Sequence, residues 1–164
     1  MLYLIYLAAV ILGIAIHLGL AKKPLSRGRV VEVALLYLFV FYVGVGGLMG
    51  ALGHTLRAKE IATGIGWQPG SPFQLEVGMA NLAFGVLGVL CIWQRGGFWT
   101  ATGIGFAVFL LGCAYGHVRE LVVHENYAPY NAGAGIFFND AVLPVIILAL
   151  LWVRGRCASK GQDS

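Results

Sequence analysis

The sequence predicts an all-α, polytopic membrane helix bundle with five transmembrane helices, and three observations support this fold class. Of the 164 residues, 59% are hydrophobic and only 11% are charged, whereas soluble domains carry about 25% charged residues. Apolar runs recur at close to the length of roughly 20 residues that a helix needs to cross a bilayer. The positive charges fall in short loops and near the C-terminus, as charges that set membrane topology do.

Composition and motifs also exclude several classes of protein. The net charge of +4 comes mainly from positive residues in short loops and at the C-terminus, which predicts a lipid bilayer as partner and no nucleic acid. Cys91, Cys113 and Cys157 have no paired or metal-motif spacing, so no disulfide framework is expected. The first apolar run lacks the positive region and cleavage site of a signal peptide, so we expect it to remain as a membrane anchor. No Walker loop, dinucleotide fingerprint or nucleophile elbow is found.

Five apolar segments, joined by polar connections, define the predicted helices. They cover residues 2–20, 30–53, 72–94, 98–124 and 136–153. The third has the clearest start, because Ser71 occupies an N-cap position, Pro72 the first helical position and Gln74 the position that completes a capping box. Residues 1–154 are therefore interpreted as a single transmembrane bundle, and residues 155–164 as a cytoplasmic polar tail.

Small residues mark the faces on which these helices are expected to pack. Gly46 with Gly50, and Gly112 with Gly116, form two GxxxG pairs of the kind that lets helices approach closely. A further small-residue stripe lies on one face of the third helix and consists of Gly78, Asn81, Gly85 and Gly88.

The distribution of lysine and arginine predicts the orientation of the bundle. If the N-terminus is outside, the inner side holds Lys22, Lys23, Arg27, Arg29, Arg95, Arg154, Arg156 and Lys160, and the outer side holds Arg57, Lys59 and Arg119. Because cytoplasmic loops carry the excess of positive charge, we expect an N-out, C-in protein of the cell inner (plasma) membrane.

This orientation gathers ionisable and polar side chains from four helices in the outer half of the bundle. Within residues 112–131, Cys113, His117, Glu120 and His124 recur at helical spacing and share one face. Ionisable groups near membrane depth are costly, so they are a functional-site hypothesis by default. The other helices contribute His54, Glu76, Asn139 and Asp140 at the same depth.

Four interpretations of this cluster remain open. One is a transition-metal site for Fe, Mn or Zn, since facing helices can supply imidazole and carboxylate ligands. Its candidate ligands are His54, Glu76, His117, Glu120 and Asp140. A second is a proton or ion relay through the carboxylates and histidines. A third is a pocket for a quinone or another amphipathic small molecule, capped by the loop that carries Trp67. The fourth is a structural polar network that fixes helix registry.

Three motifs resemble a small, uncharacterised family of prokaryotic multi-pass membrane proteins, defined as a domain of unknown function. They are GSPFQLEVGMANLAFGVLG at 70–88, GHVRE at 116–120 and NYAPYNAGAGIFFND at 126–140, followed by Pro144. The resemblance implies a membrane location and supplies no activity. It adds weight to the motif positions Glu76, Asn81, His117, Arg119, Asn131 and Asp140 as site residues.

The sequence therefore favours an integral membrane protein with a buried ionisable cluster that handles protons, ions or a small solute. A metal- or quinone-binding membrane oxidoreductase subunit is the first alternative, and a structural partner of a membrane complex is the second. A small-molecule or ion ligand and a second copy of the chain are the candidate partners besides lipid.

Overall fold

The computed structural model describes residues 2–21 and 24–160, and every regular element within those ranges is helical. The helices are numbered here along the chain. α1 is Leu2–Leu20, α2 is Arg27–Leu56, α3 is Ala58–Ile65, α4 is Phe73–Leu90, α5 is Gly97–His124 and α6 is Pro129–Ala132. α7 spans residues 134–160 and consists of Ala134–Phe137, the π-helical turn Phe138–Val142 and the α-helical Leu143–Lys160. α2 also contains a π-helical stretch, Leu38–Gly46.

Four helical segments are long and apolar enough to cross a membrane. They are Arg27–Leu56, Phe73–Leu90, Gly97–His124 and Pro129–Cys157, and they correspond to the second to fifth predicted spans. α1 is apolar but shorter, with Leu4–Leu20 as its apolar stretch, so the span predicted there and the N-out orientation remain predictions. Lys22 and Lys23, which count towards that orientation, lie outside the described residues.

Several predicted boundaries differ from the structure: the second span is Arg27–Leu56 instead of 30–53, and the third ends at Leu90 instead of 94. Three further differences change the plan of the helices. The connection expected at residues 55–72 contains α3, in which Ala62 and Ile65 are buried. These apolar residues recur at helical spacing, but the charged residues that precede them made the segment look like a loop. The fifth predicted helix is preceded by α6, and the chain bends at Gly133 between α6 and α7. α7 continues to Lys160, so much of the predicted polar tail is helical, while residues 161–164 lie outside the described part of the chain.

Glycines bring α2 and α4 into close contact, as the predicted packing stripe required. A Cβ on Gly47 would lie 2.7 Å from the backbone nitrogen of Gly85, and a Cβ on Gly85 would lie 2.8 Å from the backbone nitrogen of Leu48. Gly44 and Gly88 form the same kind of contact further along the two helices. The two backbones touch at these positions, and any side chain would force the helices apart.

We expect Gly85→Ala to lower the free energy of unfolding by about 2 kcal/mol, because the added methyl group meets backbone that cannot move aside. Gly112→Ala is the matched control, since an added Cβ there meets nothing within 4 Å. It should leave stability unchanged or raise it by up to about 1 kcal/mol through higher helix propensity. Unfolding in a mixed-micelle denaturant titration measures both variants. Equal stability of the two would contradict the close contact.

A tryptophan holds together the end of the bundle where α4 ends and α5 begins. Trp99 is fully buried, and its indole Nε1 donates a hydrogen bond to the backbone oxygen of Cys91 at 2.9 Å. The guanidinium groups of Arg95 and Arg154 lie 4.9 Å and 5.3 Å from the Trp99 ring, at cation–π distance. Phe39 of α2 contacts the same ring, with centroids 5.5 Å apart. Three of the candidate spans and the α4–α5 turn are thereby fixed at this end.

The outward faces of the helices are apolar. Val108 and Val122 of α5 are 70% and 72% exposed, and Leu75 of α4 is 57% exposed. Large apolar side chains in such numbers on a surface suit contact with lipid rather than water. This distribution agrees with the candidate spans.

Candidate functional site

A cavity of about 570 Å³ lies between α2, α4, α5 and α7 at the end of the bundle that carries α3. Its size falls within the range of roughly 300–1,000 Å³ that is typical of small-molecule sites. Most of the wall is apolar and includes Ile61, Ile65, Trp67, Phe73, Val77, Phe109, Leu110 and Ile136. The polar groups on the wall are His54, Asn81, Cys113, His117, Tyr130, Asn139 and Asp140. The structure thus brings together most of the polar residues that the sequence predicted, around a space that could hold a ligand.

A fully buried asparagine fixes the ring of His117. Asn131 is 0% exposed, and its Nδ2 donates to the backbone oxygens of Asn126 at 2.8 Å and His117 at 3.3 Å. Backbone carbonyls only accept hydrogen bonds, so the amide nitrogen must face them and the amide oxygen must face the ring. That oxygen lies 2.8 Å from Nδ1 of His117. His117 therefore donates from Nδ1, which carries a proton whether the ring is neutral or charged.

The other ring nitrogen of His117 faces a carboxyl group. Nε2 lies 3.6 Å from Oδ2 of Asp140, and the two side chains are only 12% and 11% exposed. Because Nδ1 holds its proton, Nε2 of the neutral ring presents a lone pair, which would repel an ionised carboxylate. A proton on either atom removes the repulsion. The separation exceeds that of a direct hydrogen bond, so both atoms retain hydrogen-bonding capacity towards a ligand.

Local backbone chemistry explains how Asp140 reaches the cavity. Pro144 has no N–H group and its ring would clash with the carbonyl group one turn back, which belongs to Asp140. At this position the chain forms the π-helical turn Phe138–Val142 instead of continuous α-helix. This wider turn places both Asn139 and Asp140 on the cavity wall, where Nδ2 of Asn139 donates to Oδ1 of Asp140 at 2.7 Å. π-helical turns of this kind are rare and often mark functional sites.

A second histidine, His54 of α2, lines the same cavity. Nδ1 of His54 lies 2.7 Å from Oε1 of Gln74, which accepts its hydrogen bond. Gln74 is 3% exposed, so the pair is sheltered from solvent at the first turn of α4. Two imidazoles from α2 and α5 thus line one cavity, each oriented by an amide side chain through Nδ1.

The loop after α3 covers the cavity. Gly66 has a left-handed φ of 87°, and an added Cβ there would lie 2.6 Å from Oδ1 of Asn126, so only glycine fits this turn. Asn126 in turn donates from Nδ2 to the backbone oxygen of Ile65 at 2.8 Å. The bond ties the end of α3 to the connection after α5. Trp67 follows directly and packs edge-on against Phe73, with ring centroids 5.6 Å apart.

The glycines Gly112 and Gly116 have a different role from the predicted one. The GxxxG spacing suggested a helix-packing face, but an added Cβ at either position would meet nothing within 4 Å. Both glycines line the cavity instead. Spacing alone cannot separate these cases, because a helix that approaches another helix and a helix that borders a cavity both need small residues.

Glu76 does not join this site. It is exposed and does not line the cavity, so the prediction that places it beside His117 in a buried cluster is wrong. Successive helical residues are rotated by roughly 100°, which turns Glu76 away from Gln74 two positions earlier. Gln74 takes the inward position because it continues the small-residue stripe of Gly78, Asn81, Gly85 and Gly88 at helical spacing. That continuation was the signal for Gln74, which the sequence interpretation treated only as a capping residue.

Glu120 and Arg119 also lie outside the cavity wall. Oε1 of Glu120 is 3.7 Å from Nε2 of His124 and 3.8 Å from Nη1 of Arg119, and both partners are more than half exposed. They form a surface group at the end of α5. Asn81 does reach the cavity, although its Nδ2 is engaged by the backbone oxygen of Val77 at 2.9 Å. The sequence did not identify Tyr130, which also lines the wall, or Asn126.

The predicted metal set is divided by this arrangement. His54, His117 and Asp140 line the cavity, but Glu76 and Glu120 do not. Among the described residues, no group of three or more His, Cys, Asp or Glu side chains is placed so that it could hold a metal ion. The donor set in these parts of the chain therefore does not fit a transition-metal centre.

Comparison with known proteins gives a family without an activity. A family model described as a family of unknown function (DUF6790) matches residues 1–160. No curated protein matches the chain significantly, and neither does a solved structure.

Proposed function

The chain belongs to DUF6790, a family of unknown function, and from its site we propose that it binds a small amphipathic solute and couples that binding to a proton on His117 and Asp140. The observation that carries the proposal is the cavity of about 570 Å³ with this pair on its wall. Residues on four candidate spans and α3 contribute to it.

The wall of the cavity supports the choice of solute. Apolar and aromatic side chains dominate it, including Trp67, Phe73 and Phe109, so the body of the ligand has to be apolar. Among the seven polar side chains on the wall, His117 and Asn139 both lie next to Asp140. A ligand with a flat apolar body and one or two polar atoms matches both the apolar wall and the polar side chains. A quinone is the class that fits best, because its carbonyl oxygens accept hydrogen bonds.

The geometry of the pair supports the coupling to a proton. Nδ1 of His117 is committed to Asn131, so proton exchange takes place at Nε2 and at the facing Oδ2 of Asp140. A quinone carbonyl has no hydrogen to donate, and it requires a proton on the pair. Binding is therefore strongest at low pH and weakens as rising pH removes that proton.

Quenching of tryptophan fluorescence by a short-chain ubiquinone analogue tests the proposal. Purified protein in detergent should show a saturable quenching component, because Trp67 lies on the cavity wall. Trp67→Phe should lose this component. Trp93→Phe is the matched control, since Trp93 is 69% exposed and does not line the cavity.

Two results would count against the proposal. Quenching that rises linearly with quinone concentration in every variant would indicate partition into the micelle and no binding site. A saturable component that survives Trp67→Phe and disappears in Trp93→Phe would locate the site elsewhere.

A further inference from the structure

A second cavity lies where α4 ends and α2 and α5 begin. It has a volume of about 270 Å³ and is lined by His17, Arg29, Glu32, Val33, Leu36 and Arg95. The amphipathic-solute site has no residue in common with it. Its character is also different, because two guanidinium groups and an imidazole converge on a small space.

Arg29 carries a buried donor without a partner. Its Nη1 is inaccessible to solvent and makes no hydrogen bond among the residues that the structure describes. A buried guanidinium N–H that lacks an acceptor costs more than an unpaired neutral group. Such an atom on a cavity wall indicates an acceptor that arrives with a ligand.

The nearby acidic residue does not satisfy this need. Glu32 lies on the same wall, but its Oε1 pairs with Nε of Arg154 at 3.4 Å. Within the described ranges, Arg29 and Arg95 have no carboxylate partner. Arg95 rests instead on the face of Trp99, which holds the cation in place without neutralising it. The cavity therefore keeps an excess of positive charge.

The position of the cavity in the chain agrees with this charge. It borders the first turns of one span, Arg27–Leu56, and the short turn between two others, Phe73–Leu90 and Gly97–His124. The ends of membrane-spanning helices lie at the depth of lipid headgroups, where basic pockets bind anionic phosphates. Arginine is well suited to this role because its planar group can donate two parallel hydrogen bonds to phosphate oxygens.

We propose that His17, Arg29 and Arg95 form a binding site for a phosphate-bearing anion, with Arg29 as its principal donor. The same chemistry recognises the phosphodiester of an anionic phospholipid and free inorganic phosphate, so the experiment has an arm for each source. Glu32 borders the bound anion, so its carboxylate disfavours an anion that carries a second negative charge nearby. Arg154 pairs with the Glu32 carboxylate and compensates its charge.

Native mass spectrometry of the full chain in detergent tests the lipid source. After incubation with equal amounts of phosphatidylglycerol and phosphatidylcholine, the wild-type protein should retain phosphatidylglycerol preferentially. Arg29→Gln should reduce that retention by about tenfold, the loss expected for one charge-assisted contact. Arg27→Gln is the matched control. This substitution removes the same charge from the same turn of α2, but Arg27 is exposed and does not line the cavity.

Thermal unfolding at constant ionic strength tests the free-anion source. Chloride is replaced by phosphate in this experiment. If the replacement raises the melting temperature of the wild type but not of Arg29→Gln, the site takes free phosphate, and the proposal holds even without lipid retention. If Arg29→Gln does not fold, Arg95→Gln carries the same comparison. The proposal is overturned if neither phosphatidylglycerol nor phosphate is preferred, or if Arg27→Gln loses as much binding as Arg29→Gln.

Discussion

Asp140→Asn is expected to flatten the pH dependence of quinone binding while the protein stays folded. In the wild type, affinity for the short-chain quinone should fall by about tenfold per pH unit once the proton shared by His117 and Asp140 is lost, because one linked proton corresponds to that slope. Asparagine offers a permanent amide donor in place of the proton. The slope should therefore drop below about twofold per unit, as measured by fluorescence titration over a series of pH values.

Two other carboxylates provide the controls for this result. Glu76 and Glu120 lie in the same sequence cluster as Asp140, but neither lines the cavity. Glu76→Gln and Glu120→Gln should therefore keep the wild-type slope. A flat profile in either control, or a full slope in Asp140→Asn, would contradict the role of Asp140 in holding the linked proton.

Gly116→Leu is expected to weaken ligand binding without destabilising the bundle. Gly116 lines the cavity and has nothing within 4 Å of an added Cβ, so the leucine side chain enters space that the ligand occupies. A clash of the size that overpacking causes in a core, about 1–3 kcal/mol, weakens binding roughly 5- to 150-fold. Stability should be unchanged or slightly higher, since leucine favours helix over glycine by somewhat less than about 1 kcal/mol.

Gly155→Leu separates loss of the cavity from a general effect of leucine. Gly155 also has open space around it, but it belongs to α7 and lies outside the cavity wall. This variant should bind the quinone with wild-type affinity. If Gly116→Leu binds the quinone normally, or unfolds at a much lower temperature than Gly155→Leu, the assignment of Gly116 to an open cavity is wrong.

Much of the fold follows from the sequence because lipid imposes strict limits on a spanning segment. Long apolar runs located four spans, and the predicted fourth helix, 98–124, agrees with Gly97–His124 within one residue. The irregular parts were missed for physical reasons. The π-helical turn at Phe138–Val142 depends on how α7 packs as well as on Pro144. α3 has only eight residues and carries Lys59 and Glu60, so its buried residues Ala62 and Ile65 did not stand out.

The sequence predicted how far along each helix the site residues lie, but not towards which side every one of them points. His54, His117, Asn139 and Asp140 were assigned to one layer, and they do line one cavity. Depth along a helix follows from counting residues, whereas direction around the helix depends on which face meets its neighbours. Glu76 shares the depth of these residues but not their direction.

The ring of His117 gives the most direct test of the central claim, that Asn131 fixes one nitrogen while the other shares a proton with Asp140 at the cavity. Nitrogen NMR of protein with ¹⁵N-labelled histidine, with the signals assigned through His117→Gln, reports the protonation of each ring nitrogen as pH changes. We expect Nδ1 to remain protonated throughout and the proton exchange to take place at Nε2. A ring whose Nδ1 loses its proton while Nε2 keeps one would contradict it.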